Sequence, residues 1–237
     1  MEITDAWFPN DPENPQSLQS WIEERQPRNS NYIRWFCGVD LGKRYDPSTV
    51  AIIEVQYDKG QRRYFVRYLH RFTLRMLYSD VATQLARLDE FLKAKAVEQR
   101  KKDSITWVLD TTGVGESVAE LVETAMPLAD IKKVYITGGI KATVASDNYN
   151  EIHLPKSQLV STLVAAFDAK IIYLTRDSRE IDAIIDELRN YEIHVSENAG
   201  RETYGAKVGK HDDLITALGL AIWAAEEEGY TGGPMIW

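Results

Sequence analysis

At 237 residues, 44% of them hydrophobic, the chain has material for one sizeable core and is too short for two large domains. Its formal net charge of -8 excludes a free-standing, tight, non-specific nucleic-acid binder, because neutralising phosphates needs Lys and Arg; any DNA binding must come from a local patch or a partner. A single cysteine, Cys37, excludes a disulfide framework within the chain and points to a reducing cytosol, and no apolar run reaches the length of a membrane span.

Residues 1 to 31 carry Pro9, Pro12, Pro15 and Pro27, with only Ser17 to Arg25 capable of a short amphipathic helix. The expectation is an irregular arm or linker, without the charge and apolar pattern of a signal peptide. From Tyr32 the pattern becomes regular. Strands are predicted at about Ile33 to Asp40, Ser48 to Tyr57 and Arg62 to Phe72, joined by tight turns into a three-stranded antiparallel meander. Val81, Leu85, Leu88, Leu92 and Ala96 then recur at helical spacing within Tyr78 to Lys102.

Ile105 to Asp110 is a buried strand that ends in an acid and feeds Thr111-Thr112-Gly113-Val114-Gly115 and a helix through Ala125. In α/β sheets that layout presents functional groups at strand ends. Lys133 to Thr137 reads as a strand, and Gly138 to Leu154 as a loop, with Pro155 in the first turn of the next helix. A short strand at Lys170 to Leu174, a helix at Ser178 to Tyr191 and a small hairpin within Glu192 to Gly209 follow. Leu214 to Glu228 is so rich in Ala and Leu that it must pack against the sheet. The expected organisation is an arm at 1–31, an α/β domain at 32–228 and a tail at 229–237.

Three acidic positions recur at comparable places: Asp40 ends one strand, Asp110 ends another, and Asp212-Asp213 opens the last helix. Each alone has an ordinary explanation as a turn former or helix cap. Together they offer hard oxygen ligands from separate elements, which Mg²⁺ or Mn²⁺ requires, and two such ions about 4 Å apart promote phosphodiester hydrolysis. On a helical projection of about 100° per residue, Asp213 flanks the apolar face of Leu214, Ala217, Leu218, Ala221 and Ala225, whereas Asp212 falls opposite. Asp213 is thus the favoured ligand, and Asp212 a cap or outer carboxylate.

The sequence resembles the nuclease domain of the large terminase subunit of tailed bacteriophages, in the RNase H-like (retroviral-integrase) superfamily. The resemblance spans about Tyr32 to Ala225. It rests on Gly38-Val39-Asp40 with Asp46-Pro47-Ser48-Thr49, on Asp110-Thr111-Thr112-Gly113-Val114-Gly115, on Leu154-Pro155-Lys156, and on His211-Asp212-Asp213-Leu214. It implies an RNase H-like mixed sheet, the antiparallel meander plus parallel strands, flanked by helices. It implies Asp40, Asp110 and one or both of Asp212 and Asp213 as ligands of two Mg²⁺ or Mn²⁺ ions, with Asp46 an acidic accessory. The implied activity is endonucleolytic cutting of concatemeric viral DNA during genome packaging, leaving 3′-hydroxyl and 5′-phosphate ends, in the cytoplasm of an infected bacterium.

The implied partners are double-stranded DNA, a terminase ATPase domain, the small terminase subunit and the portal protein. No Gly-x4-Gly-Lys-Ser/Thr phosphate loop occurs in the sequence, so the motor that the family carries ahead of its nuclease is absent from it. Candidate DNA contacts are Lys43, Arg44, Lys156, Lys207 and Lys210, with Arg62, Arg63, Arg67, Arg71 and Arg75 along the third strand and its exit. His211 could orient a water or be a packing residue. Two other readings stay open: a non-catalytic docking module of the same fold, and an actin-like or sugar-kinase-like ATPase. The ATPase would need a second phosphate-binding hairpin that the sequence does not show.

Overall fold

The computed structural model describes residues 2–4, 32–42, 46–58, 61–98, 102–139, 141–145, 148–175, 180–195, 202–207 and 211–230. Strands β1 (Glu2–Thr4), β2 (Tyr32–Asp40), β3 (Thr49–Asp58) and β4 (Gln61–Arg71) precede helix α1 (Tyr78–Glu98). Next come β5 (Lys102–Asp110), α2 (Glu116–Ala125), β6 (Asp130–Thr137), β7 (Thr143–Val144), β8 (Glu151–Pro155) and α3 (Lys156–Asp168). The chain closes with β9 (Ile172–Thr175), α4 (Ile181–Asn190), the hairpin β10 (Tyr191–Val195) and β11 (Glu202–Ala206), and α5 (Asp213–Tyr230). Among the described residues, no helix is long and apolar enough to cross a membrane.

Among the described residues, nine strands form one mixed sheet in the order β1-β9-β4-β3-β2-β5-β6-β8-β7. The meander β2-β3-β4 is antiparallel, while β5, β6 and β8 add in parallel on one side and β9 and β1 on the other. The antiparallel meander is the one read from the apolar runs, and the mixed sheet as a whole is the RNase H-like one that the resemblance implies. Ser17 to Arg25 lies outside the described residues; of the stretch 1–31, Glu2–Thr4 pairs in parallel with Tyr173 to Thr175.

The loop expected over Gly138 to Leu154 instead contains β7 and β8. Ile152 and Leu154 alternate inward from β8, whose backbone pairs with β6 from Lys133↔Glu151 to Thr137↔Pro155. Pro155 is not in the first turn of α3 but precedes it, with extended backbone at φ -61 and ψ 133. Proline's missing N–H is tolerated at this junction because strand pairing ends there.

Strand alternation divides the interior into two cores. Trp35, Cys37, Val39, Val50, Ile52, Trp107 and Leu109 face α1 and α2. Phe36, Ala51, Ile53, Val55, Val108 and Val134 face α5, which α3 and α4 cover from outside. The single-face packing expected of the last helix is too narrow: every residue from Asp213 to Ala225 is buried, because α5 is sandwiched between the sheet and the outer helices.

Gly38 is what lets α5 lie so close. A Cβ there would stand 1.9 Å from the carbonyl oxygen of Ala217 and 2.8 Å from the Ala221 nitrogen, so only glycine permits this crossing. Farther along, Arg67 is the extra residue of a bulge, since Ile52 pairs with Tyr68 but Ile53 with Val66. The bulge turns Arg67 inward to a buried ion pair with Glu54 at 3.0 Å, both side chains nearly inaccessible.

Candidate metal centre

Asp40 and Asp110 end neighbouring parallel strands and are partners in register. Side chains two apart share a strand face, so Asp40 follows Phe36 and Gly38, and Asp110 follows Val108, onto the side covered by α5. The third acid arrives from that helix. Thr49, the register partner of Asp40 on β3, donates its hydroxyl to the Asp213 carbonyl at 2.9 Å, pinning the start of α5 beside the strand ends.

Each acid has a distinct setting. Asp110 is buried, and its Oδ1 accepts the Thr112 N–H at 2.8 Å, fixing the turn after β5. That turn is clamped to β6, where the Val134 carbonyl accepts both the N–H and the hydroxyl of Thr111. Asp213 is also buried, and its Oδ2 has no hydrogen-bond partner, lying 3.4 Å from His211 Nδ1 without bonding it. Asp212 occupies the position before α5: its carbonyl accepts the Thr216 N–H at 2.9 Å, and its Oδ2 accepts from Lys156 Nζ at 3.1 Å.

The electrostatics follow from this crowding. Burial pushes the Asp40 carboxyl well above the usual carboxylate range, the charges of Asp110, Asp213 and Asp212 add to that, and Lys156 opposes it. Asp213 is raised by burial, against the pull of His211 and Arg71, with Asp46 and Asp212 raising it further. A buried carboxylate oxygen without a donor, among acids that resist ionising together, suits a hard divalent cation. The residues at hand that fit one are Asp40, Asp110 and Asp213, with Asp212 held at the rim by Lys156. Among the described residues no three His, Cys, Asp or Glu side chains are drawn together tightly enough to hold an ion as they stand.

Asp46 is exposed beside a cleft of about 160 Å³ lined by Gly42, Ser48, Thr73, Arg75, Met76 and Tyr78. Among the basic residues singled out, Lys43, Arg44 and Lys210 lie outside the described residues. Lys156 reaches the acids, whereas Lys207 pairs with Glu192 at 3.0 Å beside the hairpin. Three of the β4 arginines are engaged by carboxylates of the fold. Arg62 pairs with Glu226 at 2.8 Å, Arg67 is buried with Glu54, and Arg71 binds Glu187.

Sequence reasoning missed Glu187 and the role of Thr49, and placed Arg71 on a DNA path rather than in an ion pair with that acid. Glu187 did carry a signal: it falls between Ile184 and Leu188 on the apolar face of α4, where an acid needs a reason. The structure supplies one. Its Oε2 accepts the Ile215 N–H of α5 at 3.1 Å, while Oε1 accepts from Arg71.

The fold matches solved structures. A human cytomegalovirus terminase nuclease domain, soaked with Mn and bound to an inhibitor, superposes with a TM-score of 0.56 at 12% identity, over 92% of this chain and 97% of that one. A second structure of the human cytomegalovirus terminase nuclease domain gives 0.54, also at 12% identity, with the same shares of both chains covered. The large terminase nuclease domain of bacteriophage SPP1, with bound Mn, gives 0.49 at 13% identity over 90% and 92%. No curated protein matches the sequence. The profile of the family described as Terminase RNaseH-like domain matches residues 37–225, from the middle of β2 to the last buried turn of α5, and the chain belongs to that family.

Proposed function

We propose that this domain is a divalent-metal-dependent endodeoxyribonuclease that cuts concatemeric viral DNA during genome packaging. The observation that carries the reading is the meeting of Asp40 and Asp110, register partners on adjacent strands, with Asp213 pinned beside them through Thr49. Bound Mg²⁺ or Mn²⁺, two ions in this reading, would supply water activation and charge neutralisation at the leaving oxygen. The chain's own part is placement. Asp40, Asp110 and Asp213 provide oxygens from three rigid elements, and Lys156 offers a cation at the rim for a DNA phosphate. Manganese in the cytomegalovirus relative's crystals supports the choice of metal.

Within this reading the DNA is double-stranded and cleaved without sequence preference or ATP, since the sequence offers neither a base-reading motif nor a phosphate loop. The partners would be a terminase ATPase domain, the small terminase subunit and the portal protein, in the cytoplasm of an infected bacterium. The test is incubation of the purified protein with supercoiled plasmid and Mn²⁺ or Mg²⁺, against an Asp40→Asn control. Metal-dependent nicking by the wild type alone supports the proposal. Cutting in excess chelator, or strict dependence on ATP, refutes it, and an inert wild type would favour a docking module of the same fold.

A further inference from the structure

Helix α5 is capped from outside itself. In a helix that starts at Asp213, the preceding Asp212 would ordinarily turn its own carboxylate onto the Ile215 N–H, one of the unpaired amides of the first turn. The Asp212 backbone does take the capping place, but its carboxylate leaves for Lys156. The Ile215 N–H is taken by Glu187 Oε2 at 3.1 Å, from 28 residues earlier on α4. Both Glu187 oxygens are engaged, one by Ile215 and one by Arg71.

This arrangement is costly unless Asp212 is needed elsewhere. Glu187 is only 4% exposed, on a helix face where an apolar residue would pack without desolvating a charge. Asp212 could satisfy Ile215 locally, with no second helix involved. We infer that Glu187 is a positioning residue: held by Arg71, it caps α5 in place of Asp212 and so releases the Asp212 carboxylate to the acidic site. The inference rests on the proposed metal-dependent reading of that site.

The experiment measures Mn²⁺ affinity of the full chain by calorimetry for wild type, Glu187→Ala, Asp212→Asn, the double variant and Glu187→Gln. Losing Glu187 calls Asp212 back to the cap, so Glu187→Ala should weaken Mn²⁺ binding about tenfold. Asparagine caps as well as aspartate. The double variant should therefore bind no worse than about the weaker single variant, while Glu187→Gln, which keeps an acceptor for Ile215, recovers most of the loss. Additive losses, or wild-type affinity in Glu187→Ala, would overturn the inference.

Amide hydrogen exchange at Ile215 in the metal-free protein judges the cap by itself. Protection should survive Asp212→Ala and Glu187→Ala singly and fall when both are combined; exposure of Ile215 by Asp212→Ala alone would mean that Asp212 was the cap throughout. A wild-type protein that does not bind Mn²⁺ would instead overturn the reading of the site, and the exchange result would still decide the cap.

Discussion

Asp40 and Asp110 stand side by side at the carboxyl ends of β2 and β5, paired in register on the face that α5 covers. Neighbouring strands are about 4.8 Å apart, so two carboxylates here repel each other unless protonated or bridged by a cation. Asp40→Asn and Asp110→Asn should each lower plasmid cleavage by at least about 100-fold. Without metal, each should leave the melting temperature unchanged or slightly raised. Cleavage near the wild-type rate in either variant would remove that residue from the site.

Asp213 and Asp212 should differ. Asp213 is buried with an unbonded Oδ2, whereas Asp212 is half-buried and bound to Lys156. Asp213→Asn is expected to abolish cleavage. Asp212→Asn should retain partial activity that rises with Mn²⁺ concentration, and the opposite ranking in a metal titration would contradict the assignment.

The raised carboxyls set a pH dependence. Glu187 is pushed from its ordinary 4.5 up to about 7, first by burial, against the Ile215 N–H and Arg71, with Asp213 and Asp212 adding to the rise. Asp40 and Asp213 shift in the same direction. The folded state thus holds protons that the unfolded chain releases, so their contribution to stability is full below about pH 4 and is lost as pH climbs through the raised values. The metal-free melting temperature should therefore fall by several degrees between about pH 5 and pH 8. In the proposed reading Mn²⁺ binds only the folded, deprotonated site, and it should then reverse the fall at the upper end. Calorimetry across that range checks both.

Thr49 ties β3 to the start of α5 through a fully buried hydrogen bond. Thr49→Val keeps the shape and deletes the donor, and should cost about 1 kcal/mol in denaturant unfolding. Because the bond fixes the Asp213 backbone, cleavage should drop more than that loss of stability explains. Equal activity at a saturating metal concentration would show that the pin is only structural.

The Glu54–Arg67 pair predicts stability without function. Arg67→Met leaves a buried carboxylate without its ion-pair partner and should cost roughly 3–5 kcal/mol. Cleavage per folded molecule should be unchanged, since the pair lies on the α1 side of the sheet, away from the acids. Unfolding curves and activity measured at low temperature separate the two effects.

Much of this was legible in the sequence because it depends on local patterns. The meander shows as apolar runs broken by turn residues, and Asp40 and Asp110 stand out because an acid ending an apolar strand is conspicuous. Strand β8 was missed because its five residues hold only Ile152 and Leu154 as inward apolar side chains, and its pairing is made by backbone. The fates of Arg62, Arg67 and Arg71 were illegible for another reason: their partners lie 13 to 164 residues away, and nothing local distinguishes a spent guanidinium from a free one.

At Gly38 the strand and α5 meet backbone to backbone, with the Ala217 carbonyl where a side chain would otherwise begin. The gap between the acids of the sheet and the acid of the helix is therefore set by atoms that every residue possesses. Hydrophobic neighbours can be exchanged for others of like volume without altering it, whereas a single methyl group at position 38 would act as a wedge. Evolutionary drift can thus rewrite most of this interior while the spacing of those acids stays calibrated by the absence of a side chain.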